Sequence, residues 1–216
     1  MIDDREGDVR VPSPIEAGSF NPSARLPYGL TADSIGRAMG EFHDFLSFVN
    51  TQLGQRGLAR LETILMPANF SSLVGEFVAN VIPRHCSGLV RNRYHNGYPD
   101  LIPARRFPED AAQHGDAGIE VKASHYPSGW QGHNAEVGWL MVFVFDSNRP
   151  RDLDQGMTLR PFRFVKVVAA QLDREHWSYS GRSGASRRTI TASVIKAGCQ
   201  LMDENWIYLA SERKGE

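Results

Sequence analysis

The chain has 216 residues, 41% of them hydrophobic and 23% charged, and a formal net charge of −1. This suffices for one sizeable core, and near-neutrality excludes a global basic field for nucleic acid, leaving room only for a local patch. Cys86 and Cys199 have no metal or redox spacing, no apolar run reaches membrane-spanning length, and the acidic start (Asp3, Asp4, Glu6, Asp8) lacks a signal-peptide core; a cytoplasmic protein with reduced thiols and no membrane partner is expected.

Residues 1–30 carry Pro12, Pro14, Pro22 and Pro27 among small polar residues and read as an extended or flexible arm. Residues 31–216 then read as one domain, with a helical N-terminal part over 31–86 and a core over about 71–175. Thr31 or Asp33 can cap a first helix. Its apolar positions Ile35, Met39, Phe42, Leu46, Val49 and Leu53 follow steps of four and three, which is one helix face, and Gly54 and Gly57 end it. A second helical piece is expected over residues 58–66, stopping at Pro67. A third opens near Asn69 or Ser71 and carries Leu73, Phe77 and Val81 before Pro83. Arg84-His85, Arg91, Arg93, His95 and an Asn96-Gly97 turn follow. Residues 139–145 form a continuous apolar run ended by Asp146-Ser147-Asn148, the pattern of a central strand covered on both faces. Residues 162–172 read as another strand. The last element, residues 194–208, is expected to pack through Ile195, Leu201, Trp206 and Ile207. Helices first and strands after make a mixed α/β fold.

The chemistry concentrates between Tyr98 and Ser124. Pro99-Asp100 occurs once in the chain, and Glu120-Val121-Lys122 lies downstream inside Gly-Ile-Glu-Val-Lys-Ala-Ser. In a strand, residues two apart share a face, so Glu120 and Lys122 point one way while Ile119 and Val121 point the other. If the preceding segment pairs with this strand as a hairpin, Asp100 comes beside Glu120. Two carboxylates and an ammonium then converge. Such hard oxygen donors hold Mg²⁺, and a neighbouring lysine can orient or deprotonate the attacking water, which suits phosphodiester hydrolysis. The competing reading is an edge strand whose Glu and Lys form a surface pair. Asp116 is a rival ligand, ranked lower because it begins the strand roughly 13 Å from Glu120 at about 3.3 Å per residue. A second Glu-x-Lys, Glu212-Arg213-Lys214, lies in a polar tail and reads as a solvated end.

Pro99-Asp100 with Glu120-Val121-Lys122 resembles the PD-(D/E)xK nuclease superfamily, which holds most type II restriction endonucleases and many repair nucleases. The resemblance implies a restriction-endonuclease-like core, a central mixed β-sheet flanked by helices. It implies Asp100 and Glu120 as metal ligands with the Val121 carbonyl as a third, Lys122 as the catalytic lysine, and Mg²⁺, replaceable by Mn²⁺, as cofactor. Glu76 reads either as a boundary glutamate on a helix edge or as the additional carboxylate that the superfamily often supplies from a helix before the Asp strand.

Double-stranded DNA is the expected partner. Residues 181–189 are rich in Gly and Ser and carry Arg182, Arg187 and Arg188 with no acid. Arginines fork onto phosphates or guanine edges, and hydroxyls bind phosphate, so Arg182, Ser186, Arg187 and Arg188 are candidate DNA contacts. The alternative is a plain surface loop. Arg105, Arg106, Gln131 and His133 complete the candidate set. His125 and His133 flank a tryptophan turn and read first as surface or core histidines. No P-loop and no dinucleotide fingerprint occurs, so no nucleotide cofactor is expected. The expected function is a site-specific endonuclease of the type II restriction kind. A repair, recombination or phage-defence nuclease is the alternative, and a non-catalytic DNA-binding protein the second. One centre cuts one strand, so a homodimer is expected; Phe42, Phe45 and Leu46 on the first helix are its candidate surface, with packing on the chain's own core the equal alternative.

Overall fold

The computed structural model describes residues 9–132, 135, 137–179 and 192–211. Five α-helices and nine strands lie among them: α1 Ala32–Gln55, α2 Leu61–Ile64, α3 Pro67–Val81, β1 Leu89–Arg91, β2 Leu101–Pro103, β3 Ile119–Ser124, β4 Gln131–Gly132, β5 Gly138–Asp146, α4 Pro150–Asp154, β6 Arg163–Leu172, β7 Trp177–Tyr179, β8 Ala192–Val194, α5 Lys196–Glu204 and β9 Trp206–Leu209. Six strands form a mixed sheet in the order β1-β2-β3-β5-β6-β9, and β4-β8-β7 form a smaller antiparallel one. Within the large sheet only the β3–β5 pair is parallel. The α/β class and the mixed sheet flanked by helices are as expected.

Three layers follow from where the apolar residues point. The strand β5 is apolar at both parities, so it sits centrally, buried on both faces. Met141, Phe143 and Phe145 join α1 and α3 in the main core, while Leu140, Val142 and Val144 join Trp130, Trp177, Cys199 and Met202 in a second core. Two hydrophobic layers therefore share one sheet.

Local details depart from the sequence reading in instructive ways. The Thr31 side chain caps α1 by accepting from the Ser34 N–H at 3.1 Å. The helix runs through Gly54 and stops at Gly57, whose φ is 73°. Leu58 N–H donates to Leu53 O at 2.9 Å and Gly57 N–H to Gly54 O at 3.0 Å, the two bonds of a Schellman end. Gly54 serves packing instead: a Cβ there would lie 2.8 Å from the Arg10 guanidinium. The second helix is one turn, not residues 58–66, because Arg60 and Glu62 are drawn into a buried polar network. Pro67 does not stop it; it opens α3 at the first turn, where its missing N–H has no intrahelical partner anyway.

Residues 9–30 run along the domain, broken by a 3-10 turn at Ala17–Ser19 and a left-handed turn at Tyr28-Gly29. Arg10 donates to Asn50 O and Leu58 O, Ser13 N–H to Phe162 O, Asn21 N–H to Ile207 O, and Phe20 bridges Tyr208. The C-terminal element is a helix followed by an edge strand. The helix turns Cys199 and Met202 inward, while Leu201 is 37% exposed. The face suggested for dimerisation is not free. Phe42 and Leu46 are fully buried in the chain's own core, and Phe45 stacks on Phe77 at 4.8 Å. The steps that made this face apolar are those of a helix packing inward.

Candidate active site

The site is built by a parting of strands. Leu101 pairs with Ile119, and no further pair follows between β2 and β3. That register places Asp100 opposite Glu120 as the two chains diverge. Beyond the last pair, the Val121 N–H has lost its backbone acceptor. The Asp100 carboxylate takes that place, its Oδ2 accepting from Val121 N–H at 3.0 Å. Gly118 makes the close approach possible. Its φ is 140°, and a Cβ there would stand 2.1 Å from Leu101 O.

On β3, Ile119 and Val121 are buried in the main core beneath the helices. Glu120 and Lys122 face the other way, beside Leu140 and Val142 of β5. Their side chains are 15% and 19% exposed, and Lys122 Nζ donates to Glu120 Oε1 at 3.0 Å. This is a half-buried pair on an interior strand, with Glu120 in the lining of a cleft, not the solvated edge-strand pair of the competing reading.

The helical side contributes the other half. Gly75 sets α3 against the β3 backbone, where a Cβ would meet Ala123 N at 3.5 Å, and Glu76 follows at the helix edge. Arg91, the last residue of β1, reaches between Glu76 and Asp100. Its Nη2 donates to Glu76 Oε2 at 2.6 Å and its Nη1 to Asp100 Oδ1 at 2.8 Å. Nη1 also donates to Asp100 O at 3.2 Å. Glu76, Arg91 and Asp100 thus form one run of ion pairs, and Glu120 with Lys122 forms another on the neighbouring strand where the sheet opens.

Glu76, Arg91, Asp100 and Glu120 line a cleft of about 1090 Å³, and Lys122 stands outside that lining. The wall of the cleft is the loop of residues 92–98, which also supplies Arg93, Tyr94, His95 and Tyr98. Asn92 anchors that loop. The buried amide donates to Pro99 O and Ala112 O and accepts from Tyr94 N–H and Ala112 N–H. Gly97 is packed so closely that a Cβ would lie 2.4 Å from Ala112 O. A fixed backbone therefore presents exposed Arg93, Tyr94 and His95 to whatever enters the cleft.

The donor set fits a hard divalent cation. Asp100, Glu120 and the backbone of Val121 are oxygen donors on one parting of strands, and each Asp100 oxygen keeps lone-pair capacity beyond its one strong bond. Among the described residues, the one group of three possible ligand atoms already within 4.8 Å of one another is elsewhere: Asp173, Glu175 and His176. That group is a helix cap. Asp173 accepts from the His176 backbone, and His176 Nδ1 accepts from Asp173 N–H at 2.9 Å, which occupies the nitrogen facing it.

Other candidates lie apart. Asp116 pairs with Arg106 on the exposed connection, away from the cleft lining. Arg105, at φ 64°, donates its backbone N–H to Asp110 and also lies outside the lining. Gln131 is exposed on β4, likewise outside it. His125 packs on Phe145 with ring centroids 4.2 Å apart, and burial, with the Arg149 charge, lowers its pKa to about 4. It is a half-buried histidine packed on the core, held neutral by its surroundings. His133, Arg182, Ser186, Arg187 and Arg188 lie outside the described residues. The residue missed by sequence reasoning is Arg91. No local pattern marked it, because its two carboxylate partners lie 15 and 9 residues away in the chain.

Comparison of the chain with protein-family models, with curated proteins and with solved structures finds no match.

Proposed function

We propose that the cleft is the active site of a divalent-metal-dependent nuclease that hydrolyses phosphodiester bonds in DNA. The observation that carries this reading is the Asp100 carboxylate. It is held against the Val121 amide, opposite Glu120 in the strand register, in the lining of a cleft that also holds Arg91 and Arg93. A cation bound by Asp100 and Glu120, with the Val121 carbonyl, would supply Lewis-acid activation of water and of the scissile phosphate. Lys122, paired with Glu120, would hold the attacking water or accept its proton. Arg91 and Arg93 offer guanidinium forks to phosphate oxygens. Glu76 is the carboxylate that holds Arg91 in place.

Within that reading, the narrower proposal is a type II restriction enzyme acting as a homodimer on a short palindrome. A two-fold dimer would bring a second centre to the opposite strand. With Phe42 and Leu46 in the core, its interface lies elsewhere than on that face of α1. Digestion of a long DNA of known sequence with Mg²⁺, followed by end-mapping, tests both levels. Discrete fragments support the restriction enzyme. A smear, or cutting at nicks and branches, supports a repair or defence nuclease. No cleavage with Mg²⁺ or Mn²⁺ leaves a binding protein. Ca²⁺, with looser and higher coordination, is expected to permit binding without cleavage, and EDTA to abolish cleavage.

A further inference from the structure

The guanidinium of Arg91 lies where the positive charge of a bound cation would also be attracted. Its two terminal nitrogens are shared between two carboxylates, Glu76 at 2.6 Å and Asp100 at 2.8 Å. Of the Asp100 oxygens, Oδ2 is held by the backbone amide of Val121 and Oδ1 by the Arg91 side chain, so Oδ1 is the one whose partner can be exchanged. A cation approaching Asp100 therefore meets a guanidinium on the oxygen it needs. The two positive charges repel, and each competes for one carboxylate. The surroundings permit movement. The Glu76 side chain is 63% exposed at the helix edge, and Arg91 itself borders the cleft. An arginine turned away from Asp100 remains in the cleft, where a phosphodiester is the complementary anion.

We infer that Arg91 is a latch exchanged between metal site and substrate. It neutralises Asp100 and Glu76 while no divalent cation is bound, yields Asp100 Oδ1 when one binds, and then takes a phosphate oxygen of the DNA. This rests on the nuclease reading and adds to it a mechanism that couples metal loading to substrate binding. Its distinguishing consequence has the opposite sign from damage. Removing Arg91 strengthens cation binding in the absence of DNA and weakens DNA binding in its presence.

The test is Mn²⁺ binding to the full chain without DNA, followed by electron paramagnetic resonance, for the wild type, D100N, R91Q and R91K. D100N is expected to lose the site. R91Q is expected to bind Mn²⁺ about tenfold more tightly than wild type, the effect of removing one neighbouring charge. R91K, whose ammonium cannot fork onto both carboxylates, is expected to shift the same way by less. In Ca²⁺, R91Q is expected to bind a DNA duplex more weakly than wild type. Thermal melting identifies a variant that does not fold, and R91K then carries the test alone. If D100N removes Mn²⁺ binding but neither Arg91 variant binds more tightly than wild type, the latch is wrong and the metal site stands. If D100N binds Mn²⁺ as wild type does, the metal assignment fails, and the latch with it. Unchanged DNA affinity in R91Q refutes the handover to phosphate.

Discussion

Arg60 and Arg91 each hold a carboxylate with a forked guanidinium, and they stand in opposite surroundings. Arg60 and Glu62 are 0% exposed, with Nη1 and Oε1 3.0 Å apart. Arg60 also donates to Val9 O, Arg160 O and Asn148 Oδ1, and Asn50 donates to the other Glu62 oxygen. That cluster stitches the N-terminal arm, α1, α2 and the chain after β5 into one piece, with no solvent space beside it for a ligand. Arg91 holds Asp100 and Glu76 at the wall of a cleft, where both can exchange partners. The same ion-pair chemistry fastens the structure when sealed and becomes available for binding when it borders open space.

The largest expected effects come from exchanging the two clusters' roles. Asp100→Ala, Glu120→Ala and Lys122→Ala are each expected to lower cleavage on the order of 10³-fold or more, about 4 kcal/mol of transition-state stabilisation, with melting temperatures near wild type. Single-turnover cleavage beside a thermal melt measures this, and near-normal cutting by any one of them removes that residue from the chemistry. Arg60→Ala is expected to do the reverse. Glu62 is left buried without its cation, a loss of about 3–5 kcal/mol in urea unfolding, with cleavage per folded molecule retained. A stable Arg60→Ala protein would break the comparison from the structural side.

Gly118→Ala tests the hinge between fold and site. Its positive φ and the 2.1 Å approach to Leu101 O predict a loss of about 1–3 kcal/mol, together with reduced cleavage as the β2–β3 register shifts away from Asp100. Full activity in that variant would show that the register is not what positions the aspartate.

Acid should weaken the fold through two histidines. His43 and His125 are half-buried against phenylalanine rings, and desolvation lowers each pKa from 6.5 to about 4, with the Arg149 charge adding to the effect on His125. Each is therefore neutral when folded and takes up its proton more readily when unfolded. Their contribution to stability is complete above pH 6.5 and is lost as pH falls through the interval from 6.5 to about 4. Urea midpoints across that range should decline, and replacing both residues by Gln should flatten the decline.

The smallest effect belongs to the wall of the cleft. Arg93→Ala is expected to lower the slope of log affinity for DNA against log salt by about 0.9, one phosphate contact, as is each of Arg187→Ala and Arg188→Ala. An unchanged slope takes that arginine off the DNA.

The fold was legible where one local rule decided the outcome. The four-three steps from Ile35 to Leu53 made α1, and the unbroken run of residues 139–145 made the central strand, because each pattern can bury its apolar groups in only one way. It was illegible where distant partners intervened. Pro67 opens a helix instead of closing one, and residues 58–66 shrink to a single turn because Arg60 and Glu62 answer to Asn148 and Asn50. At the site, Asp100, Glu120 and Lys122 could be singled out from a unique Pro-Asp and a charged pair inside an apolar strand. Arg91 could not, because an arginine in sequence carries no sign of which carboxylate it will meet.

What the sequence determined by itself was periodicity: which residues lie on one helix face, and that Glu120 and Lys122 share a strand face opposite Ile119 and Val121. These follow from backbone geometry alone, 3.6 residues per turn and two per pleat. Only the tertiary structure decided which faces would be sealed. It buried Phe42 and Leu46, which sequence left open to a partner, and it closed Arg60 into the core. It also opened the sheet between β2 and β3, so that Asp100 replaces a missing backbone acceptor and Arg91 joins it with Glu76. Burial and strand parting depend on contacts between residues far apart in the chain, and no local pattern encodes those.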